Sequence, residues 1–295
     1  MANSTLSNAK AAKKDEFYTM FYDIETEMEA YLDYNPNVFR GKTVLLPCDD
    51  PEWSNFTKYF AQNFEALGLK KLISTSYAIN SKVIKAGIQT SFLETTSPKF
   101  DKSKTNTHGK IFVLEKDNTG DGKINLEDLE WDYLEGDGDF RSEEVKKLRD
   151  EADIIVTNPP FSLFREFLAW IVEADKQFII LGNINCITYK EVFPLFKYNK
   201  MWLGVTNFNR GMFFRVPDDF EYAPTYKFDK EINGIKVNRV SGICWYTNIE
   251  HGRRHHPLNL LTKEDNIKYS KHKEINGIGY MPYDNYNAIE VNYFD

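Results

Sequence analysis

Cysteine is scarce. The 295-residue chain has three, Cys48, Cys186 and Cys244, widely spaced and in no Cys-x-x-Cys arrangement of the kind that holds zinc or runs redox chemistry. They read as three reduced thiols. Long apolar runs are missing too: stretches such as Phe178 to Leu181 fall far short of the roughly 18 residues that a membrane span needs. Residues Met1 to Lys14 are small and polar and lack the apolar stretch of a secretory signal. A cytoplasmic protein with no membrane partner is expected. Excess positive charge is absent as well. Against 37 Lys and Arg stand 44 Asp and Glu, a formal net charge of -7 that at first sight disfavours a polyanionic partner.

What is present is apolar and aromatic. At 42% hydrophobic and 15% aromatic residues the chain can bury one large core or two smaller ones, which excludes disordered and fibrous classes. The acid is unevenly spread. Residues Met201 to Asp295 balance 12 Lys and Arg against 12 Asp and Glu, whereas Glu115 to Asp153 alone hold 15 acidic and 6 basic residues. A nucleic acid would avoid that stretch and meet the basic clusters instead.

Phe17, Phe21, Ile24, Met28 and Tyr31 form one helical stripe over Glu16 to Leu32. Thr43 to Leu46 then reads as a strand, Cys48 to Pro51 as a polar turn, and Phe56, Phe60, Phe64 and Leu67 as a helix face ended by Gly68. A strand at Lys71 to Tyr77 completes a βαβ unit, which implies a parallel sheet with a ligand crevice at the carboxyl ends of its strands. After the acidic stretch come a strand at Ala152 to Val156, a helix striped by Phe164, Phe167, Leu168, Ile171 and Val172, a strand at Phe178 to Leu181 and another at Met201 to Val205. This alternation is that of a doubly wound α/β domain. Residues 206 to 295 have a different texture, rich in Asn, Tyr, Gly and β-formers, with hairpin signals at Asn233-Gly234 and Asn276-Gly277.

Asn158-Pro159-Pro160-Phe161 follows a buried strand and precedes a helix, so it occupies the strand-end crevice where α/β enzymes place their chemistry. Two prolines stiffen the loop and present carbonyls, and the Asn158 amide adds an acceptor. An exocyclic amine such as adenine N6 would donate its two hydrogens to the Asn158 side chain and the Pro159 carbonyl, leaving the nitrogen oriented for attack, with Phe161 stacked on the ring. In a duplex that base must first be flipped out. A loop that only ends a strand and starts a helix is the bland alternative; the strand-loop-helix context favours the functional reading.

Gly136-Asp137-Gly138-Asp139-Phe140 is either an ordinary Gly/Asp turn or an aspartate and aromatic pair suited to a nucleoside. Leu46-Pro47-Cys48-Asp49-Asp50 ends the first strand without the glycine fingerprint of dinucleotide sites, which argues against NAD. A covalent role for Cys48 is disfavoured because two neighbouring carboxylates would raise its thiol pKa. Asp117 to Asp128 matches a calcium loop at several positions, with Thr119 and Asp128 as departures; a Gly/Asp-rich turn between strands is the favoured alternative. Gly252-Arg253-Arg254-His255-His256, followed by Lys271, Lys273 and Tyr283, interleaves cations and aromatics as nucleic-acid surfaces do, and as solvated loops also do. The two histidines lack partners at zinc-ligand spacing.

Asp15 to Thr19, Cys48 to Pro51 with Ser54-Asn55-Phe56, Gly136 to Ser142, Thr157 to Phe164, Ile187 to Phe193, Trp202 to Val205 and Tyr283 to Tyr286 together resemble the EcoRI-type adenine-specific DNA methyltransferase family, in order and over almost the whole chain. The resemblance implies methylation of adenine N6 in double-stranded DNA with base flipping, S-adenosyl-L-methionine as cofactor, no metal, and no covalent enzyme intermediate. It implies a Rossmann-like α/β catalytic domain at 1–205 with an acidic insertion at about 100–135, and a β-rich C-terminal recognition region at 206–295. By position, Asn158 to Phe161 match the catalytic motif. Tyr18, Thr19, Pro47, Cys48, Asp49, Asp50, Asp139 and Phe140 match cofactor positions. Arg253, Arg254, Lys271, Lys273 and Tyr283 are the expected DNA contacts. Ser76-Tyr77 stands where many methyltransferases carry an acidic ribose ligand, and family members usually continue beyond the Tyr283 segment, so a shortened recognition region or a truncated chain is expected. A restriction nuclease acting on the same site is the companion that genomic neighbourhood would disclose. Methylation of an RNA base or a protein glutamine, and a non-catalytic DNA- or calcium-binding module, are the rival readings.

Overall fold

A computed structural model describes residues 18–47, 49, 54–78, 99–206, 211–216 and 220–257. In chain order the elements are β1 (Tyr18–Thr19), α1 (Phe21–Tyr34), β2 (Thr43–Leu46), α2 (Asn55–Gln62), α3 (Phe64–Leu67), β3 (Lys71–Ser76), β4 (Lys110–Leu114), β5 (Glu130–Tyr133) and α4 (Glu143–Glu151). They continue with β6 (Ile154–Thr157), α5 (Phe164–Glu173), β7 (Gln177–Asn183), α6 (Phe193–Lys197), β8 (Trp202–Leu203), β9 (Met212–Arg215), β10 (Glu231–Ile232), β11 (Ile235–Val240) and β12 (Ile243–Thr247).

The central sheet has eight strands in the order β5-β4-β3-β2-β6-β7-β12-β8. Strands β3, β2, β6 and β7 are parallel, with Val44 opposite both Leu72 and Ile154, and Thr157 opposite Ile180. Parallel strands are covered on both faces and need unbroken apolar runs; every residue of β2 and β6 is buried. The expected parallel sheet is therefore confined to the centre, and both edges are antiparallel. At β4 the physical reason is legible: its residues alternate between buried and half-buried, the pattern of an antiparallel strand with one wetter face.

Side-chain alternation divides the core in two. Val44, Leu46, Val156, Leu181 and Trp245 pack with Ile24 and Met28 of α1 and Phe56 and Phe60 of α2. Leu45, Ile155, Ile180 and Tyr246 pack with Val145 of α4 and Phe167 and Ile171 of α5. Helices thus cover both faces of a mixed α/β fold. Each such apolar side chain contributes about 1.5–3 kcal/mol on burial.

A second, antiparallel sheet has the order β1-β9-β11-β10. Asn233 and Gly234, at φ 51° and 76°, make the tight turn between β10 and β11 that the sequence signals. Met212, Phe214, Val216 and Val240 of this sheet join the α1–α2 core. One expectation is corrected by these pairings: the first helix begins at Phe21, because Tyr18 and Thr19 pair with Arg215 and Phe214 as a strand. The acidic stretch contributes β4 and β5 to one edge of the large sheet. Beyond 205, β12 inserts between β7 and β8, and the chain forms two compact units, 1–253 and 254–295. The second Asn-Gly signal, at 276–277, lies outside the described residues.

One buried charge ties α1 to the segment after β8. The Glu27 carboxylate accepts hydrogen bonds from Tyr31 Oη (2.9 Å), Val205 N (3.0 Å), Thr206 N (3.1 Å) and Thr206 Oγ1 (2.8 Å). Gly204 is required there, since a Cβ would run into the Glu27 carboxylate. Burial pushes the Glu27 pKa up, and these donors pull it back. Among the described residues no helix is long and apolar enough to cross a membrane.

Candidate active site

The carboxyl ends of β2, β3 and β6 meet at Asp49. The Thr157 hydroxyl, on the last residue of β6, lies 2.6 Å from Asp49 Oδ2 and 2.7 Å from the Pro47 carbonyl, and its hydrogen serves that pair. Ser54 Oγ donates to Asp49 Oδ1 (2.7 Å) and accepts from Phe56 N (3.1 Å), capping α2. The Asp49 carbonyl accepts from Ser74 Oγ and from Thr57 Oγ1 (3.2 Å). Thr57, Ser74 and Thr157 are all buried, so their bonds work in a medium that favours them, and losing one partner costs about 1–3 kcal/mol. Pro47 and Asp49 are thereby fixed to three strands and a helix.

Asn158 follows Thr157 directly and inherits that fixed position. Its Oδ1 is shielded from solvent. The two proline carbonyls differ. Pro160 O accepts from Leu163 N (2.9 Å), closing the 3-10 turn Phe161–Leu163 that leads into α5. Among the described residues no hydrogen bond reaches Pro159 O, so it is the carbonyl left to take an amine. Phe161 is half-buried and lies against the α1–α2 core.

The Gly136–Phe140 segment is drawn to the end of β3. Ala78 N donates to Asp137 O (2.7 Å), and Gly138, at φ 83°, packs so closely that a Cβ would collide with Ser76 O. Asp139 is gripped by Arg141 through Nη2 (2.6 Å), Nε (2.9 Å) and the backbone N (2.8 Å), and Tyr77 also bonds it. The Arg141 side chain is the main reason that the Asp139 pKa falls below the ordinary carboxylate range. The Phe140 ring is buried edge-on against Phe167 and Trp170, with Arg141 over its face.

Tyr18 and Thr19 reach the site through α2, where Asn55 Nδ2 donates to Thr19 O (2.8 Å). The Thr19 hydroxyl is buried and has no hydrogen-bond partner among the described residues. That orphaned group, the capped N-terminus of α2 beside Asp49, and the Tyr77–Asp139 acceptor at the end of β3 suit a ligand with a carboxylate at one end and a nucleoside at the other. The residues present fit S-adenosylmethionine.

Elsewhere the expectations fare unevenly. In the 117–128 loop, Asp117 accepts from Gly120 N (2.5 Å) and Gly122 N (2.8 Å), and Asp128 from Asn118 N, Thr119 N and Asn125 N. Its carboxylates are occupied by its own backbone, as in the favoured turn. Arg253 and Arg254 lie in a 3-10 turn, Arg253 exposed and Arg254 half-buried. Cys48, Asp50, Lys271, Lys273 and Tyr283 lie outside the described residues. Cys186 and Cys244 are buried free thiols; burial raises both pKa values, that of Cys244 to about 12.

A family model described as "Adenine-specific methyltransferase EcoRI" matches residues 5–295. The chain belongs to this family. It is 41% identical to the Type II methyltransferase M.EcoRI of Escherichia coli over 98% of this chain and 79% of that protein. Identity to the Type II methyltransferase M.MpnI of Mycoplasma pneumoniae is 35%, over 97% and 74%. To M.MgeORF184P of Mycoplasma genitalium it is 34%, over 97% and 75%. No solved structure matches it. The chain is thus an enzyme of DNA adenine methylation, which sets aside the RNA, glutamine and non-catalytic readings.

In this adenine methyltransferase, Ser54, Thr57, Ser74 and Thr157 position the site without having been assigned roles from sequence. A signal existed for two of them. Thr157 is the polar last residue of an apolar strand, and Ser54 stands where a helix cap is expected.

Proposed function

We propose that this adenine methyltransferase transfers a methyl group from S-adenosylmethionine to N6 of an adenine extruded from duplex DNA, on a Rossmann-like catalytic scaffold. Bound S-adenosylmethionine supplies a methyl group made electrophilic by its sulfonium. Thr19, Pro47, Asp49 and the start of α2 would hold its amino-acid end, and Tyr77 with Asp139 its nucleoside end. The protein's own contribution is positional. Asn158 Oδ1 and Pro159 O accept the two N6 hydrogens, and Phe161 offers its exposed face to the purine. As N6 bonds to the methyl group it becomes cationic, and one of its hydrogens, still on N6 and hydrogen-bonded to Asn158 Oδ1, then leaves as a proton to water. Residues 206–295 serve target recognition, with Arg253, Arg254, Lys271, Lys273 and Tyr283 as the DNA contacts, and a nuclease of the same site specificity is the companion.

The observation that carries this reading is the Asn158 corner itself, held at the crevice by the Thr157 link to Asp49 and with Pro159 O available. Asn158→Ala should abolish methyl transfer, followed by digestion of treated DNA with methylation-sensitive nucleases, while binding of S-adenosylhomocysteine persists. Full protection of the DNA by that variant would remove the proposed role.

A further inference from the structure

The small sheet holds a polar group that the site described so far leaves unused. Thr19, Phe214 and Asn238 are direct cross-strand neighbours on β1, β9 and β11, so their side chains share one face. That face is the buried one, from which Met212, Phe214, Val216 and Val240 enter the core that Phe161 lies against. Asn238 has no exposed surface, and among the described residues neither its Oδ1 nor its Nδ2 has a hydrogen-bond partner. An amide stranded in apolar surroundings is costly, and a leucine of similar size would avoid the cost.

Chain connectivity brings Asn238 to the reacting end of the large sheet. From β11 the chain passes through Ser241 and Gly242 into β12, where Ile243 faces Asn183, the last residue of β7. Ile184 N bonds Gly242 O (2.6 Å) across the same junction. Because β6 and β7 are parallel, the end of β7 and the Asn158 corner occupy one edge. Asn238 lies two residues, roughly 7 Å, before the end of β11, and two strand spacings, roughly 10 Å, from Thr19. Thr19 stands at the cofactor loop and α2. Asn238 stands across Phe214 from it, on the strand that leads into β12.

We propose that Asn238 is a base-recognition residue, its Nδ2 donating to a ring nitrogen of the extruded adenine. The inference rests on the reading of Asn158 and Pro159 as acceptors for N6. With both N6 hydrogens taken, adenine offers its ring nitrogens as acceptors, which an amide N–H satisfies. A donor that is dry and unpaired before binding discriminates strongly, because a base without the matching acceptor leaves it stranded.

The test compares wild type and Asn238→Leu on duplexes carrying adenine, 1-deazaadenine, 3-deazaadenine or 7-deazaadenine at the target position, all of which keep the N6 amine. Asn238→Leu should lose at least tenfold in kcat/KM on adenine, bind S-adenosylhomocysteine as wild type does by calorimetry, and melt no lower than wild type. One deaza base should cost wild type a similar factor and cost the variant nothing further, the signature of a shared contact. Equal losses by both proteins on all three deaza bases would overturn the proposal, as would weakened S-adenosylhomocysteine binding. A lower melting temperature shared by Asn238→Leu and Asn238→Val would also overturn it, by showing that the amide serves the fold. Asn158→Ala run alongside separates the two readings: methyl transfer surviving there removes the N6 acceptors, whereas the deaza comparison reports on Asn238 alone.

Discussion

Two aspartate-rich turns in this molecule use the same residue type for opposite purposes. In the 117–128 turn, Asp117 and Asp128 bond backbone groups at most ten residues away. At the active site, Asp49 bonds Thr157, 108 residues distant, and its carbonyl bonds Ser74, 25 residues distant. A local carboxylate shapes a turn that would fold much the same wherever it was placed. A long-range one fixes the separation of strands, which is what an active site needs. Glu27 belongs with Asp49, since it grips Val205 and Thr206 from α1.

The largest effect that would sharpen this contrast is on turnover. Thr157→Val keeps the shape of the side chain and removes the hydroxyl between Pro47 O and Asp49 Oδ2. Stability should fall by about 1–3 kcal/mol from the unmet buried acceptors. Because Asn158 is the next residue, kcat should fall roughly a hundredfold through misplacement of the reacting amine. Wild-type turnover in Thr157→Val, measured by tritium transfer to DNA, would break the claim that the Asp49 link positions the corner.

Glu27→Gln comes next and separates holding the fold from holding the chemistry. The variant keeps one acceptor oxygen and presents an NH2 group to donors it cannot satisfy. Its unfolding free energy in urea should drop by about 2–3 kcal/mol, the scale of hydrogen bonds to a charged acceptor. Turnover at saturating DNA should suffer less than in Thr157→Val, since Glu27 does not adjoin the corner. A loss of turnover as large as that of Thr157→Val would place residues 204–206 in the chemistry.

The contrast also explains which features were legible in the sequence. The βαβ unit, the buried strands β6 and β7 and the Asn158 corner were legible because apolar period, proline and strand-end position are local signals. Strand direction at the sheet edges was not, since periodicity gives a strand without its partner. The return of β12 to a sheet begun 200 residues earlier was not legible for the same reason. The contacts of Phe140 were not legible, because its aspartate neighbour marks a loop while Phe167 and Trp170, against which the ring lies, come from a helix further along. Asn238 sits in Ile-Lys-Val-Asn-Arg-Val, where alternation reads a polar residue as outward-facing; only the pairing with Phe214 shows it turned inward.

For the local turn the expected effect on function is nil. Asp128→Asn should leave methyl transfer at wild-type rate, and calcium titrated into wild type by calorimetry should give no heat of binding. Backbone donors, Asn125 N first among them, lower the Asp128 pKa. Its contribution to stability is therefore present above the unfolded carboxylate pKa and is lost as pH falls through the lower folded value. Saturable calcium binding, or a loss of turnover in Asp128→Asn, would break the contrast by giving this turn a reach beyond itself.

Asp23 of α1 offers the smallest and cleanest measurement, because it is a carboxylate on which burial acts alone. Its pKa is raised from the ordinary 3.8 to about 6. The folded chain then binds that proton more tightly than the unfolded one does. The resulting stability is complete below about pH 4 and is lost as pH rises through 6, opposite in sign to the behaviour of Asp128. Asp23→Asn, neutral at every pH, should remove this part of the slope between pH 4 and 6. At pH 7 it should raise the unfolding free energy by about 1–2 kcal/mol once solvent screening is allowed for. An unchanged slope would mean that the unfolded chain holds the Asp23 proton as tightly as the folded one, and that burial in the first turn of α1 is relieved by water.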